Sequence, residues 1–347
     1  MKGLRKYLTP FAPDQSGAVS VLYELGGILV ICDAGGCTGN ICGFDEPRWF
    51  SHKSALFSAG LRDMDAILGR DDKLVAKLVD AADKVKAEFV AIIGTPVPAV
   101  IATDYQAIKR MIQKKLDLPV LIVEATGTNL YDKGEEEAYL ELFRNFAVEK
   151  LPADPTRIGV IGVTPQNMSD LGIEKKLKAA LGEEEGKQVC CYGMGAGLLE
   201  VKMASAAAKN IVVSPSGLKA AKYLEKQFGT PYETVFPLAG EMIPDMEYTG
   251  KKILVIHQQA QANSIRSEML KRSGGNADIT VGSWFMMKPE LSQSGDIHLT
   301  EEDEFTELAA GGYDVIIADP VLRSMIPDFK GIFIDMPHFA VSGRLIQ

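Results

Sequence analysis

The chain has 347 residues, 46% of them hydrophobic, which is enough to bury the cores of two or three domains. A formal net charge of −9 argues against nucleic acid as a partner, because binding to a phosphate backbone depends on clustered Lys and Arg. Short apolar runs exclude a membrane span, and five cysteines without a signal peptide indicate a cytoplasmic protein in a reducing compartment.

Ten short apolar runs alternate with amphipathic helical patterns along the chain. They cover residues 26–33, 88–95, 118–125, 157–164, 187–193, 209–216, 251–258, 277–284, 313–320 and 331–338. Continuous apolar runs are typical of strands buried on both faces of a parallel sheet. The alternation predicts an α/β fold of three Rossmann-like units with parallel doubly wound sheets and a ligand cleft between them.

Two loop-like stretches, 151–157 and 237–252, mark the predicted unit boundaries. We therefore expect an N-terminal unit over 1–150, a middle unit over 151–245 and a C-terminal unit over 246–347. The acidic runs 135–137 and 183–185 are expected to be solvated helix ends, which is the usual position of such charge.

A loop rich in cysteine and glycine follows the first predicted strand, at the sheet edge where ligands bind in this fold class. It contains Cys32, Cys37 and Cys42, with Gly35 and Gly36 between the first two. Thiolates ligate iron–sulfur clusters, and glycines let backbone N–H groups approach the sulfur atoms. The spacing matches neither ferredoxin pattern, so a buried Cys32 with two incidental turn cysteines is the alternative.

Other cofactor signatures are weak or missing. Cys190 and Cys191 are adjacent in a predicted strand, so their side chains point to opposite faces and do not share a metal. The glycines that follow them lack the G-x-G-x-x-G spacing of a dinucleotide site, and the sequence has no P-loop.

Polar residues at the predicted strand ends are candidates for lining the cleft. They are Thr95, the stretch 126–129, Thr164, Gln166, Ser214, Ser216, His257, Gln258, Gln259 and His338. His257 and His338 are the candidate catalytic residues, since an imidazole can donate a proton to a reduced substrate. The alternative is a hydrogen-bonded histidine without chemistry. His52 and His298 lie in polar surroundings and are expected at the surface.

Several segments, in preserved order, resemble the nitrogenase component 1 superfamily, which includes the nitrogenase molybdenum–iron protein, dark-operative protochlorophyllide reductase and the F430 cyclase. Residues 33–37 resemble the family's His-Gly-Pro-x-Gly-Cys step, and 92–129 the segment in which a Cys-Pro step opens a helix. Residues 209–233 resemble the stretch that carries the cofactor cysteine, and 250–259 the first strand of the third domain. The chain is similar to a short, divergent, single-subunit member.

The resemblance implies an oxidoreductase subunit that passes electrons through an iron–sulfur cluster, of the [4Fe–4S] type, to a small organic substrate. It also implies a homodimer or a heterodimer with a paralogous subunit, and an ATP-dependent iron–sulfur reductase as electron donor. The resemblance places the family's three cluster cysteines at three positions of this sequence. The first falls near Pro13 or Asp14, the second at Cys37 and the third at Thr95, so only Cys37 is still a cysteine. The cofactor cysteine falls at Ser214, so no iron–molybdenum cofactor is expected.

Two alternatives stay open beside this hypothesis. The chain is either a non-catalytic scaffold that holds or assembles a metallocluster, or a metal-free small-molecule-binding protein that lost the family's ligands. Asp14 is interpreted as an exposed acidic turn residue. The aromatic segment 44–50 either docks an electron donor or packs against the next helix.

Overall fold

The computed structural model describes residues 4–346, except the side chains of Ala66 and Ile67. It contains three separate sheets of four, five and four strands, and every pairing within them is parallel. This confirms the predicted α/β class with Rossmann-like units. No helix in the described part of the chain is long and apolar enough to cross a membrane.

The first sheet has the strand order β2-β1-β3-β4. Its strands are β1 (Ile28–Ile31), β2 (Ala55–Ser58), β3 (Val90–Ile93) and β4 (Val120–Val123). Its helices are α1 (Asp14–Leu22), α2 (Gly36–Asn40), α3 (Asp63–Leu68), α4 (Asp71–Ala82), α5 (Pro96–Val100), α6 (Tyr105–Gln113) and α7 (Tyr131–Phe146). A π-helical turn, Ile41–Asp45, and a 3₁₀ turn, Pro47–Phe50, follow α2.

The second sheet has the order β6-β5-β7-β8 and the third β11-β10-β9-β12-β13. The second unit contains β5 (Asp154–Ile161), α8 (Pro165–Met168), α9 (Ile173–Ala180), β6 (Gln188–Tyr192), α10 (Leu198–Lys202), β7 (Ala207–Val212), α11 (Leu218–Phe228) and β8 (Tyr232–Thr234). The third contains β9 (Lys252–Ile256), α12 (Gln259–Arg272), β10 (Asp278–Ser283), β11 (Ile297–His298), α13 (Glu302–Ala309), β12 (Val315–Ala318), β13 (Ile332–Asp335) and α14 (Phe339–Ser342).

Neighbouring units share their hydrophobic cores. Cys190 packs in one cluster with Phe143 of α7, whereas Cys191 packs in another with Val255 of β9. The two adjacent cysteines therefore face opposite sides of β6, as a strand requires. Because each sheet contributes to a core that also belongs to its neighbour, side chains at the unit boundaries are held as firmly as those inside a unit.

Helices α1 and α7 touch through their backbones and fix the start of α7. A Cβ atom at Gly17 would overlap the carbonyl oxygen of Tyr131, and one at Gly134 would overlap the carbonyl oxygen of Asp14. Only glycine permits this approach on each helix. The contact positions the first turns of α7, which carry the polar side chains described next.

Candidate functional site

Glu135 lies at the centre of a buried polar network where α7 meets the loops after β5 and β7. Its carboxyl oxygens accept hydrogen bonds from Thr164 Oγ1 at 2.5 Å, Ser216 Oγ at 2.7 Å and Asn167 Nδ2 at 2.8 Å. The side chain has no exposed surface, and burial raises the pKa of Glu135 to about 8 despite these three donors. Glu135 therefore keeps its proton to a higher pH than an ordinary carboxyl group does.

The network continues from Asn167 into the third unit. Asn167 Oδ1 accepts hydrogen bonds from Tyr131 OH at 2.9 Å and from Ser214 Oγ at 3.3 Å. Tyr131 OH also lies 3.2 Å from His338 Nε2, and the ring of His338 stacks on that of His257. Side chains from all three units thus meet in one connected set of polar groups, which we call the Glu135 network.

Both histidines of this network are buried and uncharged at neutral pH. Burial lowers the pKa of His257 to about 4 and holds the pKa of His338 well below its ordinary value. His257 Nε2 lies 3.5 Å from the carbonyl oxygen of Pro337, while its Nδ1 has no hydrogen-bond partner among the described residues. His52 and His298 are exposed, as expected.

The sequence identified most members of the Glu135 network but missed its centre. Glu135 stands in an acidic run that was expected to be a solvated helix end, and this expectation is wrong because Glu135 and Glu136 are both buried. The signal was present: Glu135 lies four residues after Tyr131 and four before Tyr139, on the apolar stripe of α7. Tyr131 and Asn167 were also missed; Asn167 lies three residues after Thr164 and two after Pro165.

Three predicted cleft residues, all glutamines, lie outside the Glu135 network and connect separate elements. Gln258 Nε2 donates to the carbonyl oxygen of Val213 at 2.6 Å, and Gln259 Nε2 donates to that of Lys288 at 3.1 Å. Gln166 Nε2 donates to the carbonyl oxygen of Asp45 at 2.5 Å, next to the cysteine loop. Gln258 and Gln166 thus connect different units, whereas Gln259 makes its contact within the third unit.

Asp14 is buried, which corrects the expectation of an exposed turn residue. Its carboxylate accepts hydrogen bonds from the backbone N–H groups of Thr126 and Gly127 at 2.9 and 2.7 Å, and from Asn129 Nδ2 at 3.2 Å. Residues 126–129 thus anchor the first turn of α1 and stay apart from the Glu135 network. With both oxygens accepting from these donors, Asp14 has a structural role.

The three thiols of the cysteine loop face three different surroundings. Cys32 is a core residue that packs with the apolar side chains under α4 and α6, and burial followed by the charge of Asp33 raises its pKa to about 12. Cys37 lies beside the hydroxyl of Thr95, whereas Cys42 lies beside Glu46 and Lys53. Burial and then a nearby carboxylate raise the pKa of both of these thiols as well.

The positions of the three thiols determine whether a single chain can bind an iron–sulfur cluster. Cluster ligands must converge as thiolates, but no three His, Cys, Asp or Glu side chains of residues 4–346 are grouped so as to hold a metal ion. Thr95 Oγ1 donates to the carbonyl oxygen of Cys32 at 2.7 Å, and Ser214 belongs to the Glu135 network. The described part of a single chain therefore does not provide the ligand set of a [4Fe–4S] cluster.

The cysteine loop is open on its outer side. A Cβ atom at Gly35 or Gly36 would meet no other atom within 4 Å, and Gly35 has a φ of +120° that only glycine adopts readily. Phe44 is 75% exposed and Phe50 is 76% exposed, while Arg48 between them is buried. The aromatic segment is thus anchored by its arginine and presents its phenylalanines to the outside.

Comparisons with known proteins agree with this architecture. Residues 15–242 match the family model of the nitrogenase component 1 type oxidoreductase. The chain is similar to a solved structure of nitrogenase Cp1 at pH 6.5, with a TM-score of 0.74 and 10% identity over 97% of this chain and 87% of that chain. A structure of nitrogenase Cp1 at pH 5 has a TM-score of 0.65 and 14% identity over 97% and 85%.

At these identities the likeness to the solved structures shows the fold alone, and none of the curated proteins matches the chain in sequence. The family model, in contrast, covers well over half of the sequence, including the cysteine loop and most of the Glu135 network. The chain belongs to the nitrogenase component 1 type oxidoreductase family.

Proposed function

We propose that the chain is an oxidoreductase subunit that binds a small organic molecule at the Glu135 network and supplies protons as that molecule is reduced. One observation carries the proposal: ionisable side chains from different units, Glu135, Tyr131, His257 and His338, meet in one buried set where the units join. Perturbed ionisable groups that cluster between domains are typical of active sites.

His257 and His338 are the proposed proton-transferring residues. A neutral imidazole holds a proton on one nitrogen and accepts one on the other, so it passes protons without storing charge. His338 already has a partner of this kind in the hydroxyl of Tyr131. His257, stacked on His338, has a free Nδ1 that can bind a polar atom of a ligand.

The proposed electron route enters at the cysteine loop. A [4Fe–4S] cluster at Cys37, flanked by Gly35 and Gly36, requires ligands that one chain does not provide, so we place it between two subunits. The exposed side chains of Phe44 and Phe50 support a docking face at this loop, since large apolar groups are normally buried in an interface. The partner is a second copy or a paralogous subunit, and a separate ATP-dependent iron–sulfur reductase supplies the electrons.

The test is the iron and acid-labile sulfide content of protein purified without oxygen, together with electron paramagnetic resonance after reduction with dithionite. We expect iron in the dimer, and its loss with the signal in Cys37→Ser. Cys32→Ser is the matched control, because its thiol faces the core of the first unit and its replacement should leave the iron in place.

A metal-free small-molecule-binding protein is the second candidate function. It is favoured by the raised pKa values of Cys32, Cys37 and Cys42, which keep these thiols protonated, and by the non-ligating Thr95. A folded, reconstituted sample without iron would overturn the electron route and leave this candidate. Iron that passes from the protein to an acceptor protein would instead indicate a scaffold.

A further inference from the structure

We infer that Glu135 is the proton-storing residue of this site, held as a neutral carboxylic acid and connected through the hydroxyls of Ser216 and Ser214 to the molecule that the site is proposed to bind. The inference rests on the proposed function for its role in reduction, but the protonation of Glu135 is a property of the chain alone. Glu135 has no role in the electron route at the cysteine loop or in the proton transfer by the histidines, and the inference gives it one.

The surroundings of Glu135 favour its neutral form. Its three partners are two hydroxyls and one amide, and no lysine or arginine of the described residues pairs with it. Asp132, one turn earlier on α7, also disfavours the ionisation of Glu135 through its negative charge, as burial does. The other titratable groups around it, Tyr131 and Tyr139 on α7, have pKa values raised well above 10 and are uncharged.

Among the described residues, no cation from the elements packed against α7 pairs with the Glu135 network; Arg48, whose charge lowers the pKa of Tyr139, pairs with Glu46 and Glu24. The loop after β5 contributes Thr164 and Asn167, and the turn after β7 contributes Ser214 and Ser216, all of them neutral. His338 from the third unit, in contact through Tyr131, is neutral as well. On the outer face of α7, Lys133 and Lys219 both pair with Glu137.

The serine pair accommodates both states of Glu135 without moving a heavy atom. Ser216 Oγ lies 2.7 Å from Glu135 Oε2 and 3.0 Å from Ser214 Oγ, and Ser214 Oγ lies 3.3 Å from Asn167 Oδ1. When Glu135 is protonated, its O–H donates to Ser216, which donates to Ser214, which donates to Asn167. When Glu135 is ionised, the hydroxyl of Ser216 rotates and donates to the carboxylate.

Proton delivery through this pair keeps the number of bonds constant. The O–H bond of Glu135 breaks, and Ser216 gains that proton and gives its own to Ser214. The hydroxyl of Ser214 turns from Asn167 Oδ1 to the basic atom of the bound molecule and gives its own proton to that atom. The electrons come from the reductase of the proposed function. Glu135 is left as a carboxylate and regains a proton by the reverse transfer through Ser214 and Ser216.

The test is infrared spectroscopy of the protein as a function of pH, which detects the C=O stretch of a protonated carboxylic acid. We expect a band at pH 7 that is missing in Glu135→Gln and that disappears from the wild type with a midpoint near 8. Glu137→Gln is the matched control on the same helix. Burial raises the pKa of Glu137, but hydrogen bonds from Lys219 and Lys133 lower it by more, so the net shift is downward. Glu137 is therefore ionised at pH 7, and its replacement should leave the band unchanged.

A second variant tests the serine connection and covers the case in which Glu135→Gln does not fold. Ser216 favours the ionised form by donating to it, so Ser216→Ala should move the midpoint of the band to higher pH. An identical spectrum at pH 7 in wild type and Glu135→Gln, or an unmoved midpoint in Ser216→Ala, would overturn the inference. Iron content and substrate reduction test the proposed function separately.

Discussion

The imidazole rings of His257 and His338 stack face to face, with ring centroids 4.3 Å apart and planes inclined by 16°. Two positive charges at this separation inside the protein would repel strongly, so the stack requires that at least one ring is neutral. Phe285 covers the edge of His338 with a centroid distance of 4.8 Å and helps to keep water away. The stack joins the end of β9 to the loop after β13.

The neutral stack predicts a specific loss of stability in acid. Because burial lowers the pKa of His257 from 6.5 to about 4, the unfolded chain binds a proton between these values that the folded chain does not. The free energy of unfolding should therefore fall as the pH is lowered from 6.5 to 4, by about 3 kcal/mol from this residue. Urea unfolding of wild type and His257→Asn at several pH values measures it.

The control for this prediction is His298→Asn, which changes an exposed histidine and should keep the wild-type pH dependence. In His257→Asn the slope between pH 6.5 and 4 should be reduced. The same slope in both variants would contradict the neutral stack.

Glu135 should have the opposite effect on stability. Burial raises its folded pKa from 4.5 to about 8, so its contribution is complete below 4.5 and is lost as the pH rises through 8. Relative to Glu135→Gln, the wild type should lose up to about 5 kcal/mol of unfolding free energy over this range. Chemical denaturation of both proteins at pH 5 and pH 9 measures the difference, and a constant difference would show that Glu135 is ionised throughout.

The sequence predicted the fold well where strands are fully buried. Each of the ten predicted runs overlaps an observed strand, because buried parallel strands need apolar residues; β13 is the exception among them, since its side chains are partly or fully exposed. The three strands that it missed, β2, β8 and β11, lie at sheet edges and expose part of their side chains, so their sequences are mixed. Edge strands of this kind do not show a continuous apolar run.

The site was harder to predict, because its members come together only through the packing of the units. Strand-end residues such as Ser214 and His338 could be identified, since the end of a buried strand is recognisable in sequence. Glu135 lies on a helix whose orientation depends on the contact between Gly17 and Tyr131. Likewise, nothing in the spacing of the cysteines reveals that Cys32 points into the core.

The close contact of α1 and α7 predicts a severe effect of adding one methyl group. In Gly17→Ala the new Cβ atom would overlap the backbone of Tyr131, so the helices must separate and the Glu135 network must open. We expect a loss of about 3 kcal/mol, the upper part of the range that overpacking of a core usually causes. Gly39→Ala, at an open position of α2, is the control and should change the stability by less than about 1 kcal/mol.

Arg48 anchors the cysteine loop to the rest of the protein. Its guanidinium donates to Glu46 and Glu24, to the carbonyl oxygen of Ser20 on α1, and to the carbonyl oxygen of Gly193 in the second unit, at 2.7–2.8 Å. Although burial lowers its pKa, the charge of Glu46 and then that of Glu24 raise it overall. The open loop around Cys37 is thus fixed to the rest of the protein by the buried guanidinium of Arg48, which has only 4% of its surface exposed.

Replacing this arginine should therefore destabilise both the chain and the proposed dimer. Arg48→Met leaves the buried carboxylate of Glu46 without its cation, which costs about 3–5 kcal/mol in comparable buried pairs. We expect a lower midpoint of urea unfolding and, because Phe44 and Phe50 lose their anchor, a larger monomer fraction in light scattering. Arg70→Met removes an exposed pair with Asp72 and should change the stability by about 0–1 kcal/mol. A wild-type midpoint in Arg48→Met would mean that the loop is held by its apolar contacts alone.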